Sequence, residues 1–293
     1  MGKIRGWVEG ETRDLGSGRV DLSDLGSSPT GAEYLDAFRL DGRVALVTGA
    51  ASERGIGREI GRAYAAAGAA VGLADVDEGG VRDAAEEIRT AGGKVVPLRM
   101  DVTDPASVSA AVAGLETALG PVEILVNSAG ITRPTKIWDV SLEEFDRIMD
   151  VNVRGGFICL QAVMPGMMER RRGRIVWLSS ISGKQGGGTF GTSSYAASKA
   201  AVIGLCQAVA RELGPYGITS NAIAPGFIET GIVARSGDQQ MEDRVRALIN
   251  ETAPLRRAGA PQDVALAALY LASDAAAYVT GEILDVNGGA YFD

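Results

Sequence analysis

A short apolar run that breaks into glycines and restarts as an alanine-rich helical pattern limits what this chain can fold into. The run is Val44-Ala-Leu-Val-Thr-Gly-Ala-Ala-Ser-Glu-Arg-Gly-Ile-Gly57. Its β-branched opening reads as a strand buried on both faces, the kind found in parallel sheets. Gly49 and Gly55 let the backbone approach a pyrophosphate, and Gly57 lets the next helix pack close to the sheet. The start of that helix, near Ile56, favours negative charge. A carboxylate, Asp75, closes the next expected strand (Ala70–Asp75), where a ribose hydroxyl would need an acceptor. Glycine turns also arise for steric reasons alone. The strand, turn and carboxylate together read as a dinucleotide site.

Composition removes much of the competing chemistry. The 293 residues contain no histidine, which excludes Ser-His-Asp and Cys-His nucleophiles and imidazole-ligated zinc. The two cysteines, Cys159 and Cys206, fall in apolar helical patterns and read as buried packing thiols. Acid–base work is left to carboxylates, lysine or tyrosine, and no metal is expected. A net charge of −8 argues against nucleic acid or an anionic membrane surface as partner. No run reads as a membrane helix or signal-peptide core, so the expected setting is cytoplasmic.

Residues 1–37 lack a sustained period and read as an extension. It is either a mobile tail or an arm on a neighbouring subunit, anchored by Trp7, Leu22, Leu25, Tyr34 and Phe38. From residue 43 strand and helix patterns alternate, which predicts a parallel sheet covered on both faces. Helices are expected at Glu78–Ala91, after Asp104-Pro105 with Asp104 as cap, and after Ser141-Leu-Glu-Glu144, a capping-box pattern. A long helix is expected over Val151–Arg170, its arginine-rich end solvated. A glycine-rich loop is expected at 183–191, a helix at Ser193–Leu213, and an insertion at about 227–258 containing a helix over Gln239–Asn250. Helix Pro261–Ala272 and strand Ile283–Val286 close the chain.

Tyr195 and Lys199 stand four apart at the start of helix 193–213, so phenol and ammonium share one face. They follow a strand ending in Ser179-Ser180, and strand ends in such a sheet face the cofactor crevice. With Thr48-Gly49, Gly55-Ile56-Gly57, Asp101-Val102, Asn127-Ser128-Ala129-Gly130, Asn152 and Pro225-Gly226-Phe227-Ile228-Glu229-Thr230, the chain from Leu40 to Gly289 resembles the short-chain dehydrogenases/reductases. The resemblance implies one Rossmann-type, doubly wound α/β domain over 38–293, with about seven parallel strands, helices on both faces and a lid near 227–258.

The resemblance also implies roles. Tyr195 would be the general acid/base, and Lys199 would lower its pKa and hold the nicotinamide ribose. Ser180 would bond the substrate oxygen, and Asn152 would fix a water that relays protons. Gly49, Ser52, Arg54, Gly55, Ile56, Gly57, Asp75 and Val76 would line one end of the cofactor site. Asp101, Val102, Asn127, Ala129, Gly130, Pro225, Gly226, Ile228 and Thr230 would line the rest, together with Tyr195 and Lys199. The turn from Gly49 to Gly55 is two residues longer than the family's usual turn, so Ser52-Glu53-Arg54 must bulge. Ser182 competes with Ser180 by spacing; position at the strand end favours Ser180.

Asp75 favours NAD, because a carboxylate repels a 2′-phosphate, while Arg54 is the opposing signal for NADP unless it pairs with Glu53 or Asp75. The expected reaction interconverts a secondary alcohol and a ketone on a polyol, sugar-derived or cyclic alcohol. The alternatives are an NADPH-dependent 3-oxoacyl thioester reductase, a dinucleotide-sensing regulator without turnover, and a lyase or epimerase. Ser182, Gln185 and Phe227 are candidate substrate contacts, and Arg133, Trp138, Lys184, Thr189 and Phe190 are placed near the mouth. A homotetramer or homodimer through helices 151–170 and 193–213 is expected, with a small-molecule substrate.

Overall fold

The computed structural model describes residues 31–187, 192–230 and 239–292. Strands β1 (Val44–Thr48), β2 (Ala70–Asp75), β3 (Lys94–Arg99), β4 (Val122–Asn127), β5 (Gly173–Leu178), β6 (Ile218–Pro225) and β7 (Ile283–Val286) form one sheet in the order β3-β2-β1-β4-β5-β6-β7. Every pairing is parallel.

Successive strand residues point to opposite faces, and β1 shows the consequence. Ala45 and Val47 pack into one buried cluster and Val44 and Leu46 into the other. The first cluster lies under α2 (Ile56–Ala66), α3 (Glu78–Thr90) and α10 (Pro261–Ala272), through Ile60, Tyr64, Ile88 and Leu271. The second lies under α4 (Pro105–Leu119), α6 (Gly155–Arg170) and α8 (Ser193–Leu213), through Leu115, Leu160, Met167 and Val209. Cys159 and Cys206 are buried there, and burial pushes both thiols up to about 12.

The chain runs outward from β1 to β3 and then returns to β4 beside β1, which opens a crevice at their carboxyl ends. Thr48, the last residue of β1, spans it. Its Oγ1 donates to the Val126 carbonyl at 3.3 Å and accepts from the N–H groups of Ser128 and Ala129, both at 3.0 Å.

Several expected elements differ in detail. Helix α5 (Leu142–Met149) passes through a π-helical segment, Asp150–Arg154, into α6, so the long helix begins earlier and carries an irregular turn at Asn152. The glycine-rich loop starts with a one-turn helix, α7 (Ile181–Gln185), capped by Ser180, and Gly188–Gly191 lie outside the described residues. The arginine-rich end of α6 is exposed, as expected, and makes contacts as well. Arg170 donates to the Val122 carbonyl, Arg171 to the Pro215 carbonyl, and Arg172 pairs with Glu123. Of the capping box only half forms: Ser141 accepts from Glu144 N–H, whose carboxylate instead takes the Thr135 hydroxyl. Asp104 caps α4 as expected.

In the insertion, Val245 and Ile249 of α9 (Gln239–Thr252) and Ala253 just after it pack against Phe227, Ala258 and Ala290, and 231–238 lie outside the described residues. The chain divides into a unit ending at Asp36 and one from Ala37 onward. The first contains α1 (Gly31–Asp36), with Tyr34 and Leu35 exposed. The expected anchors Trp7, Leu22 and Leu25 lie outside the described residues, whereas Phe38 meets Tyr270 at 6.4 Å between ring centroids.

Candidate active site

The turn after β1 is shaped by close backbone approach. Gly49 has φ +69°, and a Cβ there would lie 2.8 Å from the Ala129 backbone. A Cβ on Gly57 would overlap the Gly49 carbonyl. Ser52 accepts from the Gly55 N–H at 2.9 Å, which closes the long turn, and no side chain caps the start of α2. The first N–H groups of α2 thus have no side-chain cap.

Asp75 frames this turn, accepting from Ala51 N–H at 3.1 Å and Asp77 N–H at 3.2 Å. Val76 beside it is exposed. Arg54 pairs with neither Glu53 nor Asp75; its guanidinium lies 3.7 Å from Glu229, on the loop after β6. Sequence reasoning missed Arg58. It is buried, donates to the Ala51 carbonyl at 3.3 Å and pairs with Glu87, which also holds Arg62. The Arg58–Glu87 pair spans 29 residues, so no local spacing reveals it.

At the end of β5 the second half of the site assembles. Ser180 is extended, caps α7 by accepting from Ser182 N–H at 3.1 Å, and hydrogen-bonds the Tyr195 side chain. Burial pushes the Tyr195 phenol up, against the opposing pull of the Ser180 hydrogen bond. Lys199 is buried; its Nζ lies 5.6 Å from the Tyr195 ring centroid and donates to the Leu178 carbonyl at 2.7 Å. Burial pushes its ammonium down to about 8. The net direction of the Tyr195 shift is thus upward and is set by burial.

Asn152 sits on the π turn, an irregularity that frequently marks functional helices. Its Oδ1 accepts from Ile131 N–H at 2.8 Å, and its Nδ2 donates to the Ile131 carbonyl and to Ser198 Oγ, both at 2.9 Å. Ser198 in turn donates to the Tyr195 carbonyl at 2.7 Å. A Cβ on Gly130 would lie 3.4 Å from both Asn152 Oδ1 and Lys199 Nζ, so these two groups flank one point.

The other expected contacts scatter more widely. Asp101 accepts from the N–H and hydroxyl of Thr103, which holds its carboxyl low, and Val102 is buried beside Gly155. Gly226 donates to the Val286 carbonyl, Ile228 bridges Gly259, and Thr230 N–H donates to the Ile228 carbonyl. Pro225 ends β6. Among the substrate candidates, Ser182 is buried in α7, Gln185 donates to the Gly187 carbonyl, and Phe227 packs under α9. Lys184 turns to Asp285 on β7, Trp138 is exposed, the Arg133 carbonyl accepts from Thr192, and Thr189 and Phe190 lie outside the described residues.

A dinucleotide fits these residues on two observations. The glycine cradle leaves no room for side chains where backbone meets backbone. The buried amide of Asn127, at the end of β4, has neither Oδ1 nor Nδ2 paired within the protein, and buried polar atoms of that kind call for a ligand or solvent partner.

A family model described as enoyl-(acyl carrier protein) reductase matches residues 49–291. The chain is 43% identical over 254 residues to the 3-oxoacyl-[acyl-carrier-protein] reductase FabG of Escherichia coli, covering 87% of this chain and 99% of that one. Against a short-chain type dehydrogenase/reductase of Sinorhizobium fredii it is 42% identical over 258 residues, covering 85% and 98%. A solved short-chain type dehydrogenase/reductase from Mycobacterium marinum matches with a TM-score of 0.80 and 38% identity, over 89% of this chain and 99% of that one. With a seven-stranded parallel sheet, a glycine cradle at its switch point and a Ser-Tyr-Lys-Asn cluster at the strand ends, the chain belongs to the short-chain dehydrogenase/reductase family of oxidoreductases.

Proposed function

We infer that this oxidoreductase interconverts a secondary alcohol and a ketone with a nicotinamide dinucleotide, NAD in preference to NADP. The observation that carries the reading is the joining of Ser180, Tyr195, Lys199 and Asn152 through hydrogen bonds and close approach, beside a cradle for a dinucleotide. Bound nicotinamide would supply the hydride acceptor or donor. Gly49, Gly55, Ile56 and Gly57 would hold the pyrophosphate, Asp75 the adenine-side ribose, and Asn127 and Lys199 the nicotinamide side.

The chain's own residues handle the proton. Ser180 keeps its oxygen fixed by the Ser182 N–H and presents its hydroxyl to Tyr195 and to the substrate oxygen. In reduction the protonated phenol, already favoured by burial, gives its proton to the developing alkoxide. In oxidation the phenolate takes the alcohol proton, and Lys199 would pass it on to a water fixed by Asn152, the two side chains flanking one point at Gly130.

Asp75 supports NAD, since a carboxylate fixed by two N–H groups repels a 2′-phosphate. The substrate we assign is an oxygenated small molecule: a polyol, a sugar-derived or a cyclic alcohol. The relationship to a 3-oxoacyl-[acyl-carrier-protein] reductase favours a second reading, NADPH-dependent reduction of a 3-oxoacyl thioester. Phe157, exposed on α6, supports a homodimer or homotetramer through α6 and α8, which solution mass tests.

Following nicotinamide absorbance with both cofactors, across polyols, cyclic secondary alcohols and 3-oxoacyl thioesters, tests the assignment. Turnover of alcohols with NAD is expected. Cofactor binding without turnover would mark a regulator, and turnover without net reduction an epimerase.

A further inference from the structure

Helix α7 is a single turn, too short to persist without outside contacts. Ser180 nevertheless depends on it, because the Ser182 N–H of its first turn fixes the Ser180 hydroxyl. Among the contacts that hold α7 are two from different elements. On one side Gly183 presses on α8 so closely that a Cβ would stand 2.6 Å from the Lys199 carbonyl carbon. On the other, Lys184 Nζ donates to Asp285 Oδ2 at 2.8 Å and lies 3.5 Å from the Ile283 carbonyl oxygen, both on β7.

The Lys184 side chain is 9% exposed and that of Asp285 23%. The ring of Tyr291 lies 5.9 Å from the ammonium. A desolvated ion pair adds little net stability, since the loss of hydration offsets most of the attraction, and an apolar pair of equal volume often does as well. Its distinctive property is direction. Charge and hydrogen-bond geometry admit few orientations of α7, where apolar packing would admit several.

We propose that Lys184 and Asp285 are positioning residues, whose ion pair locks α7 to β7 and so keeps Ser180 in register with Tyr195. The proposal rests on the alcohol–ketone reading of the site.

The test compares the wild type with K184M, K184R, D285N and the double variant K184M/D285L. The double variant leaves no unpaired buried charge, so it reports position with folding preserved. We expect it to melt at or above the wild-type temperature, with kcat about ten-fold lower and KM for the dinucleotide unchanged. K184R should restore kcat to within about three-fold of wild type, since it keeps the charge and the donor. Hydrogen–deuterium exchange over residues 179–187 should be faster in the double variant while α8 stays protected. Wild-type kcat in the double variant overturns the proposal, and so does wild-type exchange over 179–187. The exchange measurement needs neither substrate nor cofactor. A wild-type protein without any nicotinamide turnover would therefore refute the reading of the site, while the exchange result still decides whether the pair holds α7.

Discussion

The ammonium of Lys199 donates to the carbonyl oxygen of Leu178, and that 2.7 Å contact ties α8 to the last residue of β5. It also keeps a charge inside the protein, where burial lowers its pKa from 10.5 to about 8. The unfolded chain binds this proton more tightly than the folded one. The cost to folding is therefore complete below pH 8 and is relieved as pH rises from about 8 toward 10.5. Lys199→Met removes the charge and one hydrogen bond, worth about 1 kcal/mol, against a charge penalty of about 3 kcal/mol. We expect the variant to be more stable than wild type by about 2 kcal/mol at pH 7, with the gap narrowing by pH 10 and turnover lost. Urea unfolding at both pH values measures it.

Tyr195 is held protonated by burial, with the Ser180 hydrogen bond opposing that shift. Reduction draws on the protonated form and oxidation on the phenolate, so the two directions should respond oppositely to alkali. Oxidation should rise with pH through 9 or beyond, while reduction stays level and then falls. Tyr195→Phe should lower kcat by about a thousand-fold in both directions, with dinucleotide affinity within a few-fold of wild type. Steady-state rates and a fluorescence titration separate the two effects.

The parts of this site legible in the sequence are those whose chemistry is local. The strand, turn and helix from Val44 follow from neighbours in the chain, and so do the Tyr195–Lys199 spacing and the Asp104 cap. The π turn at Asn152 is not local, because its side chain is drawn to Ile131, 21 residues away. Helix α7 was hidden for a related reason. The glycine-rich stretch from residue 183 reads as loop, whereas Gly183 is required by contact with α8. The direction of the Tyr195 shift depends on desolvation, a property of the folded surroundings that the Tyr195–Lys199 spacing does not convey.

Gly57 and Gly114 both lie within helices and should respond oppositely to alanine. At Gly57 the new methyl would overlap the Gly49 carbonyl, and the atoms it meets, on Thr48 and Gly49, are backbone with little room to yield. A loss of about 2–3 kcal/mol is expected, with loss of dinucleotide binding. At Gly114, in α4, nothing lies within 4 Å of the added methyl. There the gain should be about 0.5–1 kcal/mol, because alanine restricts the unfolded chain. Thermal melts of the two variants decide both.

Asp75 both frames the turn and sets its charge, through the N–H groups of Ala51 and Asp77. Removing it in Asp75→Ala lifts the repulsion of a 2′-phosphate. The ratio of kcat/KM for NAD over NADP should fall by about ten-fold or more, equivalent to at least ~1.4 kcal/mol. Glu229→Gln releases Arg54 from its ion pair and should shift the ratio the same way by a smaller factor. An unchanged ratio in Asp75→Ala would show that this carboxylate does not select the cofactor.

Asn127 gives a test of the cofactor site that needs no substrate. Its amide is buried at the end of β4 with both polar atoms unpaired within the protein, beside the cradle that Thr48 and Gly49 build. A buried amide without partners costs the free protein about 1–3 kcal/mol, so leucine, of similar shape, should raise the melting temperature of the cofactor-free chain. The same change removes groups that a dinucleotide would use, so the rise in melting temperature on adding saturating NAD should shrink. Opposite signs in the two measurements are the signature of a residue kept for binding at the expense of the free fold. A variant that loses stability in both states would place Asn127 among the packing residues instead.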